Sequence, residues 1–269
     1  MADTDSAGVR IHYEVEGEGP PLLLMHGMGG SVDNWRRSGY VEALRGQYRL
    51  ILIDSRGFGS SGKPHDPAAY SREHKVADVC AVLDDLDVER AYYWGYSMGA
   101  SNGWAMGMLR PDRLFALVLG GYPVLQLHPG EETRVRWESR AKLMKLGMDA
   151  YVAGMEMEQG PLPKDLRARL LANDGDAYAA QQLANLEWGV ADEDVRAMTV
   201  PTFVYSGTED HAHPGFNSHE LCKRSAALAP AASFLPVPGH THTQTFQDRE
   251  FIQPHVLKFL AEVETPAHA

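Results

Sequence analysis

Short apolar runs alternate with amphipathic stretches along most of the chain. PLLLMHG (21–27), YRLILID (48–54), RAYYWGY (90–96), LFALVLG (114–120), PTFVYSG (201–207) and ASFLPVPG (232–239) are compact and mostly apolar, as expected of strands covered on both faces. VRIHYEVEG (9–17) instead alternates polar and apolar positions and reads as an early edge strand or hairpin arm. In SREHKVADVCAVLDDL (71–86), Val76, Val79, Cys80, Leu83 and Leu86 recur at helical spacing. Near the end, Pro254 suits the first turn of a helix carrying Val256, Phe259 and Leu260. Strands alternating with helices predict an α/β fold, a mostly parallel, doubly wound sheet of about eight strands.

The alternation stops between residues 123 and 198. No strand pattern occurs there; Trp137, Ala141, Met144 and Met148 share a helical face, and GPLP (160–163) precedes two more helical stretches. The simplest organisation is a core domain of residues 1–122 and 199–269, with 123–198 as a helical cap inserted after the sixth strand. Residues 1–7 and 264–269 read as frayed ends.

Composition narrows the function. Apolar residues make up 44% and charged residues 23%, ordinary values for a globular protein. A net charge of −11 with no basic run disfavours nucleic acid and anionic membranes. No segment has the length of a membrane span or the pattern of a signal peptide, so a cytoplasmic protein is expected. Cys80 and Cys222 are too few for a disulfide scaffold and lack metal-ligand spacing.

The chemistry starts at GYSMG (95–99). Gly-x-Ser-x-Gly at a strand-to-helix junction predicts a turn so sharp that only glycine fits two residues either side of its apex, Ser97. A serine hydroxyl needs a base, and the base needs an orienting group. In an open α/β sheet both come from the carboxyl ends of strands. TEDHAHPG follows PTFVYSG and offers Asp210, with Glu209 as its rival. HTHTQ follows the last strand and offers His240, with His242 as its rival. His240 is preferred because it directly follows the Pro238–Gly239 turn, and the spacing from Gly207 favours Asp210.

Two other readings of these stretches fail. GFGSSG (57–62) matches a dinucleotide fingerprint, but Gly62 leads into KPHDP rather than a helix. The histidines beside Glu209 and Asp210 lack a zinc-binding spacing. No cofactor and no metal are therefore expected, and Asp54 and Arg56 read as structural.

The pieces LLLMHGMGG (22–30), DSRGFGSSGKP (54–64), GYSMG (95–99), SGTED (206–210) and PGH (238–240) together resemble the cap-bearing α/β-hydrolases. The resemblance covers nearly the whole chain outside the cap. It implies a Ser97–His240–Asp210 triad and an oxyanion hole from the backbone N–H groups of Met28 and Met98. The dehalogenase and epoxide-hydrolase branches carry aspartate where this chain has Ser97. The implied activity is hydrolysis of a small or medium carboxylic ester or lactone through an acyl-enzyme. A ligand receptor with little turnover and a C–C bond hydrolase of the ring-cleavage type are the alternatives. His26, Gly27, Trp35, Tyr96, Trp137, Met144 and Trp188 are candidates for the pocket wall, and a homodimer is left open.

Overall fold

The protein was analysed as a computed structural model, which describes residues 1–124, 130–211 and 216–264. One sheet contains β1 (Ala2–Ser6), β2 (Val9–Glu16), β3 (Pro21–Met25), β4 (Arg49–Ile53), β5 (Ala91–Tyr96), β6 (Leu114–Gly120), β7 (Thr202–Gly207) and β8 (Ala232–Val237). Their spatial order is β1-β2-β4-β3-β5-β6-β7-β8. β1 and β2 run antiparallel to their neighbours, and the remaining pairs are parallel. The doubly wound sheet is the expected one. Its N-terminal edge is not: residues 2–6 pair with β2 instead of fraying. A two-residue turn at Ala7–Gly8 makes the hairpin, so β2 is an inner strand.

The helices among the described residues are α1 (Asp33–Arg37), α2 (Tyr40–Leu44), α3 (Arg72–Asp85), α4 (Met98–Leu109), α5 (Glu131–Leu146), α6 (Met148–Gln159), α7 (Lys164–Leu171), α8 (Gly175–Ala184), α9 (Asp192–Arg196), α10 (Ser218–Leu228), α11 (His242–Gln247) and α12 (Arg249–Glu264). Side chains alternate across a strand, so β3 to β8 each feed two cores. Leu23, Met25, Ile51, Ile53 and Tyr93 join Val79 and Leu83 of α3, Trp104 of α4 and Cys222 of α10. Leu22, Leu24, Leu50, Leu52 and Trp94 meet Trp35 and Tyr40 on one side and Ile252 and Val256 of α12. Truncating one such buried leucine to alanine costs about 2–5 kcal/mol, so each core contributes strongly to seating the helices on the sheet.

α5 to α9 all lie between β6 and β7, the helical insertion that the missing strand pattern predicts. The C-terminal helix differs from expectation. It begins at Arg249, so Pro254 is inside it rather than in its first turn. The reason is Asp248, whose Oδ1 accepts from the Phe251 N–H at 3.1 Å and starts the helix early. Residues 265–269, the greater part of the other expected frayed end, lie outside the described residues.

A polar network underlies the loops at the carboxyl edge of the sheet. Asp54, at the end of β4, accepts from the amides of Val32 and Ser60, both at 2.7 Å. Buried Arg56 grips Asp78 of α3 with Nε at 2.7 Å and with Nη2, and donates Nη1 to the Ala69 carbonyl at 2.5 Å. Lys75 is 2% exposed, yet among the described residues its Nζ reaches only neutral acceptors, Ser55 Oγ at 2.9 Å and the Arg56 carbonyl at 3.2 Å. It also lies 5.0 Å from the centre of the Tyr70 ring. Burial drives its pKa down to about 7; nearby Asp78 opposes the shift and Arg56 reinforces it.

Because the folded pKa is depressed below the ordinary lysine value, the unfolded chain binds the extra proton between about pH 7 and pH 10.5. Stability carried by this group therefore rises with pH across that window, and the penalty is fully present below pH 7. The melting-temperature advantage of Lys75→Met over the wild type is expected to be largest at pH 7 and to shrink toward pH 10. A gap that stays constant with pH would show that the amine has the same charge in both states.

Candidate active site

The turn from β5 into α4 packs backbone on backbone. A Cβ on Gly99 would lie 2.1 Å from the Met25 carbonyl oxygen, and one on Gly95 would lie 2.3 Å from the Gly99 oxygen. Neither position tolerates a side chain. Between them Ser97 takes φ +56°, ψ −118°, a left-handed-side conformation that a non-glycine residue holds only when its surroundings force it. Its N–H donates to the Gly120 carbonyl at 2.8 Å, which fixes the turn to the end of β6. Its hydroxyl has no hydrogen bond among the described residues.

The turn after β3 lies against this serine. A Cβ on Gly27 would sit 3.2 Å from the Ser97 Cβ, so Gly27 borders the site as expected. His26 is fully buried and does not line a pocket. Its Nδ1 lies 2.8 Å from the Gly27 carbonyl, and its Nε2 accepts the Ser55 N–H at 3.1 Å. Burial, the largest influence, lowers its pKa, which keeps it neutral with Nδ1–H as the donor. The ring therefore braces the 26–30 turn against the loop after β4. Met98 opens α4, so its amide needs no helical acceptor. Among the described residues no protein acceptor takes the Met28 or the Met98 amide.

The histidine at the end of β8 is where sequence and structure part. His242, not His240, meets the acid: its Nδ1 lies 2.8 Å from Asp210 Oδ2, and Asp210 is fully buried at the end of β7. Asp210 Oδ1 has no partner among the described residues. With Nδ1–H donated to the carboxylate, His242 Nε2 is left as the acceptor. The His242 ring lies against Gly121, next to the residue that binds the Ser97 amide. Tyr96, the residue before Ser97, packs at a tilt with its ring centre 5.1 Å from that of His242 and donates its hydroxyl to the His242 carbonyl at 2.5 Å.

His240 is turned away. Its Nδ1 faces the Pro238 carbonyl at 2.7 Å and its Nε2 faces Asp248 at 2.9 Å, so neither nitrogen is open to a serine proton. Its carbonyl accepts from the Glu209 N–H at 3.1 Å, which sets the direction of the turn. The next residue, Thr241, forms a capping box with Gln244, making His242 the first residue of α11. That Thr-x-x-Gln spacing was the missed signal: it starts a helix at His242 and gives that side chain a fixed direction. Glu209, the rival acid, is exposed beside His211.

Among the candidates for the pocket wall, three belong elsewhere besides His26. Trp35 is fully buried in an aromatic cluster with Tyr40, Trp94 and Phe246, with centroids 5.1–5.6 Å away. Tyr96 backs His242 and joins the same core. Trp188 is buried and donates its Nε1–H to the Tyr70 carbonyl at 3.0 Å. Trp137 is buried on α5. Met144 packs in one cluster with Met98, Phe58, Met148, Tyr151 and Tyr178, against which Met28 also lies. The insertion therefore reaches the site through methionine and aromatic side chains. Among the described residues no group of three or more His, Cys, Asp or Glu side chains gathers as a metal site, and no helix is long and apolar enough to cross a membrane.

Comparison with known proteins agrees with the fold. An epoxide hydrolase from Siraitia grosvenorii is 34% identical over 122 residues, covering 45% of this chain and 38% of that protein. The chain thus matches well under half the length of that relative. An esterase from Thermogutta terrifontis superimposes with a TM-score of 0.82 at 22% identity, covering 98% of this chain and 99% of the other. The enol-lactonase from Burkholderia xenovorans LB400 gives 0.80 at 24%, covering 97% and 100%. Residues 20–156, about half of the chain, match the model of the alpha/beta hydrolase fold family. The chain belongs to that family of hydrolases.

Proposed function

We propose that the protein is a serine hydrolase that cleaves a small or medium carboxylic ester or lactone, with Ser97, His242 and Asp210 as its triad. The observation that carries this reading is the 2.8 Å contact between His242 Nδ1 and buried Asp210, with the His242 ring against Gly121 and the neighbouring Gly120 carbonyl holding the amide of Ser97, itself at φ +56°. His242 Nε2 takes the Ser97 proton as Oγ attacks the carbonyl carbon. Asp210 holds the resulting imidazolium in place without taking its proton. The Met28 and Met98 amides receive the oxyanion, a contribution commonly worth about 10²–10³ in rate per donor. His242 then protonates the leaving alcohol, and water, deprotonated by the same imidazole, releases the acid. The insertion spanning residues 123–198 serves as the cap, and its methionines offer an adaptable apolar wall for the acyl chain. The similarity to an esterase and an enol-lactonase supports this substrate class. Ser97 at the apex supports acyl transfer over the chemistry named for the epoxide hydrolases.

A fluorophosphonate is expected to add one mass increment to the wild type and none to Ser97→Ala, read by intact mass. Absence of an adduct on the wild type would overturn the activated serine. The two histidines separate by kinetics on a p-nitrophenyl ester. His242→Ala should lower kcat/KM by at least ~10²-fold, the lower bound for a general base. His240→Ala should cost far less and act mainly on melting temperature, through the lost tie to Asp248. The reverse order would restore His240 as the base.

A further inference from the structure

One arginine near the site meets no counter-charge among the described residues. Arg36, Arg56, Arg110, Arg113 and Arg224 each meet a carboxylate. Arg169 of α7 meets none among the described residues. Its Nε is buried and without a hydrogen-bond partner. The charged group it feels most is another cation, Arg37 at the end of α1, which also has no acidic partner among the described residues. The remaining titratable neighbours are Tyr178, whose phenol burial keeps neutral, and His26, also neutral. Burial and Arg37 together push the Arg169 pKa below the ordinary guanidinium value. Arg37 is exposed and solvated, so the deficit lies with Arg169: in a chain with 36 acidic and 25 basic residues, its buried Nε is left without an acceptor, which a bound anion would supply.

The location links this deficit to the site. Asn173 donates to the Gly29 carbonyl at 3.3 Å and to the Arg169 carbonyl at 2.8 Å, which ties the end of α7 to the 26–30 turn. Leu170, the next residue, packs on Gly29. Arg169 is also near enough to His26 to bias it against protonation. The guanidinium therefore lies at the seam between the insertion and the turn that borders Ser97.

We propose that Arg169, assisted by Arg37, is an anion subsite that takes a second, non-reacting carboxylate on the ester or lactone cleaved at Ser97. The inference rests on the serine-hydrolase reading for the reaction, though not for binding of the anion. A guanidinium presents a planar fork of donors that matches the two oxygens of a carboxylate. Such a contact would orient the substrate from the cap side while the ester carbonyl faces the Met28 and Met98 amides.

The test pairs mono-p-nitrophenyl adipate, which carries a free carboxylate, with p-nitrophenyl hexanoate of matched chain length. The ratio of kcat/KM for the anionic over the neutral ester should fall about tenfold or more in Arg169→Gln, the size expected for loss of a charged hydrogen bond. Arg169→Lys should recover part of it. An unchanged ratio would overturn the subsite. Binding is read separately by melting temperature in Ser97→Ala with adipate or inorganic phosphate. A rise with adipate that disappears when Arg169→Gln is added supports the subsite, even if the wild type hydrolyses neither ester; that combination would sink only the proposed reaction. A rise with phosphate alone would overturn the carboxylate assignment, and no rise with either would overturn the subsite itself.

Discussion

The contact of the Gly99 backbone with the Met25 carbonyl governs the geometry of the whole carboxyl edge. α4 can come this close to the end of β3 only because no Cβ intervenes, with 2.1 Å left where one would stand. Once the helix is seated, the chain between β5 and α4 has to reverse within a residue or two, and Ser97 takes the positive φ. The same approach places Gly27 against Ser97 and sets the Ser97 amide on Gly120. The two large cores make this possible. They clamp β3, β5 and β6 in register, so that a locally unfavourable backbone of order 1–3 kcal/mol is outweighed by packing on both faces.

Polar groups then fix what the packing leaves free. His26 holds the Gly27 carbonyl and the Ser55 amide with its two nitrogens, and Asp54 collects the amides of Val32 and Ser60. The Ser55 amide on His26 and the Val32 amide on Asp54 cross between the loops after β3 and β4 in opposite directions, so those two loops are cross-braced rather than merely adjacent. On the far side, Tyr96 couples the serine turn to the backbone of His242. Nucleophile and base, on the proposed mechanism, are positioned by neighbours in sequence as well as in space.

Much of this was legible in the sequence, because it depends on local rules. The apolar runs gave the sheet, the strandless interval gave the insertion, and the glycines around Ser97 gave the turn. Asp210 was legible from its distance past a strand end. The choice between His240 and His242 was not settled by proximity to Pro238–Gly239, since a turn fixes where the chain goes and not which side chain faces inward. That direction came from the capping box at Thr241 and Gln244, a signal two residues further on. Trp35, Trp188 and Tyr96 show the opposite limit. Large aromatic residues fill a core and a pocket wall equally well, and only tertiary packing distinguishes them. Arg169 left no trace in the pattern, because its distinction is that its buried Nε meets no acceptor among the described residues.

The bond from Asn173 to the Gly29 carbonyl makes the insertion part of the machinery beneath it. The same side chain grips Arg169 from behind, so one amide spans a helix of the insertion and the loop at the reacting end of β3. On the proposed reading, in which the insertion covers Ser97, lifting α7 means breaking that tie and reseating α7 restores it, so uncovering the site and releasing the Gly29 turn become a single event.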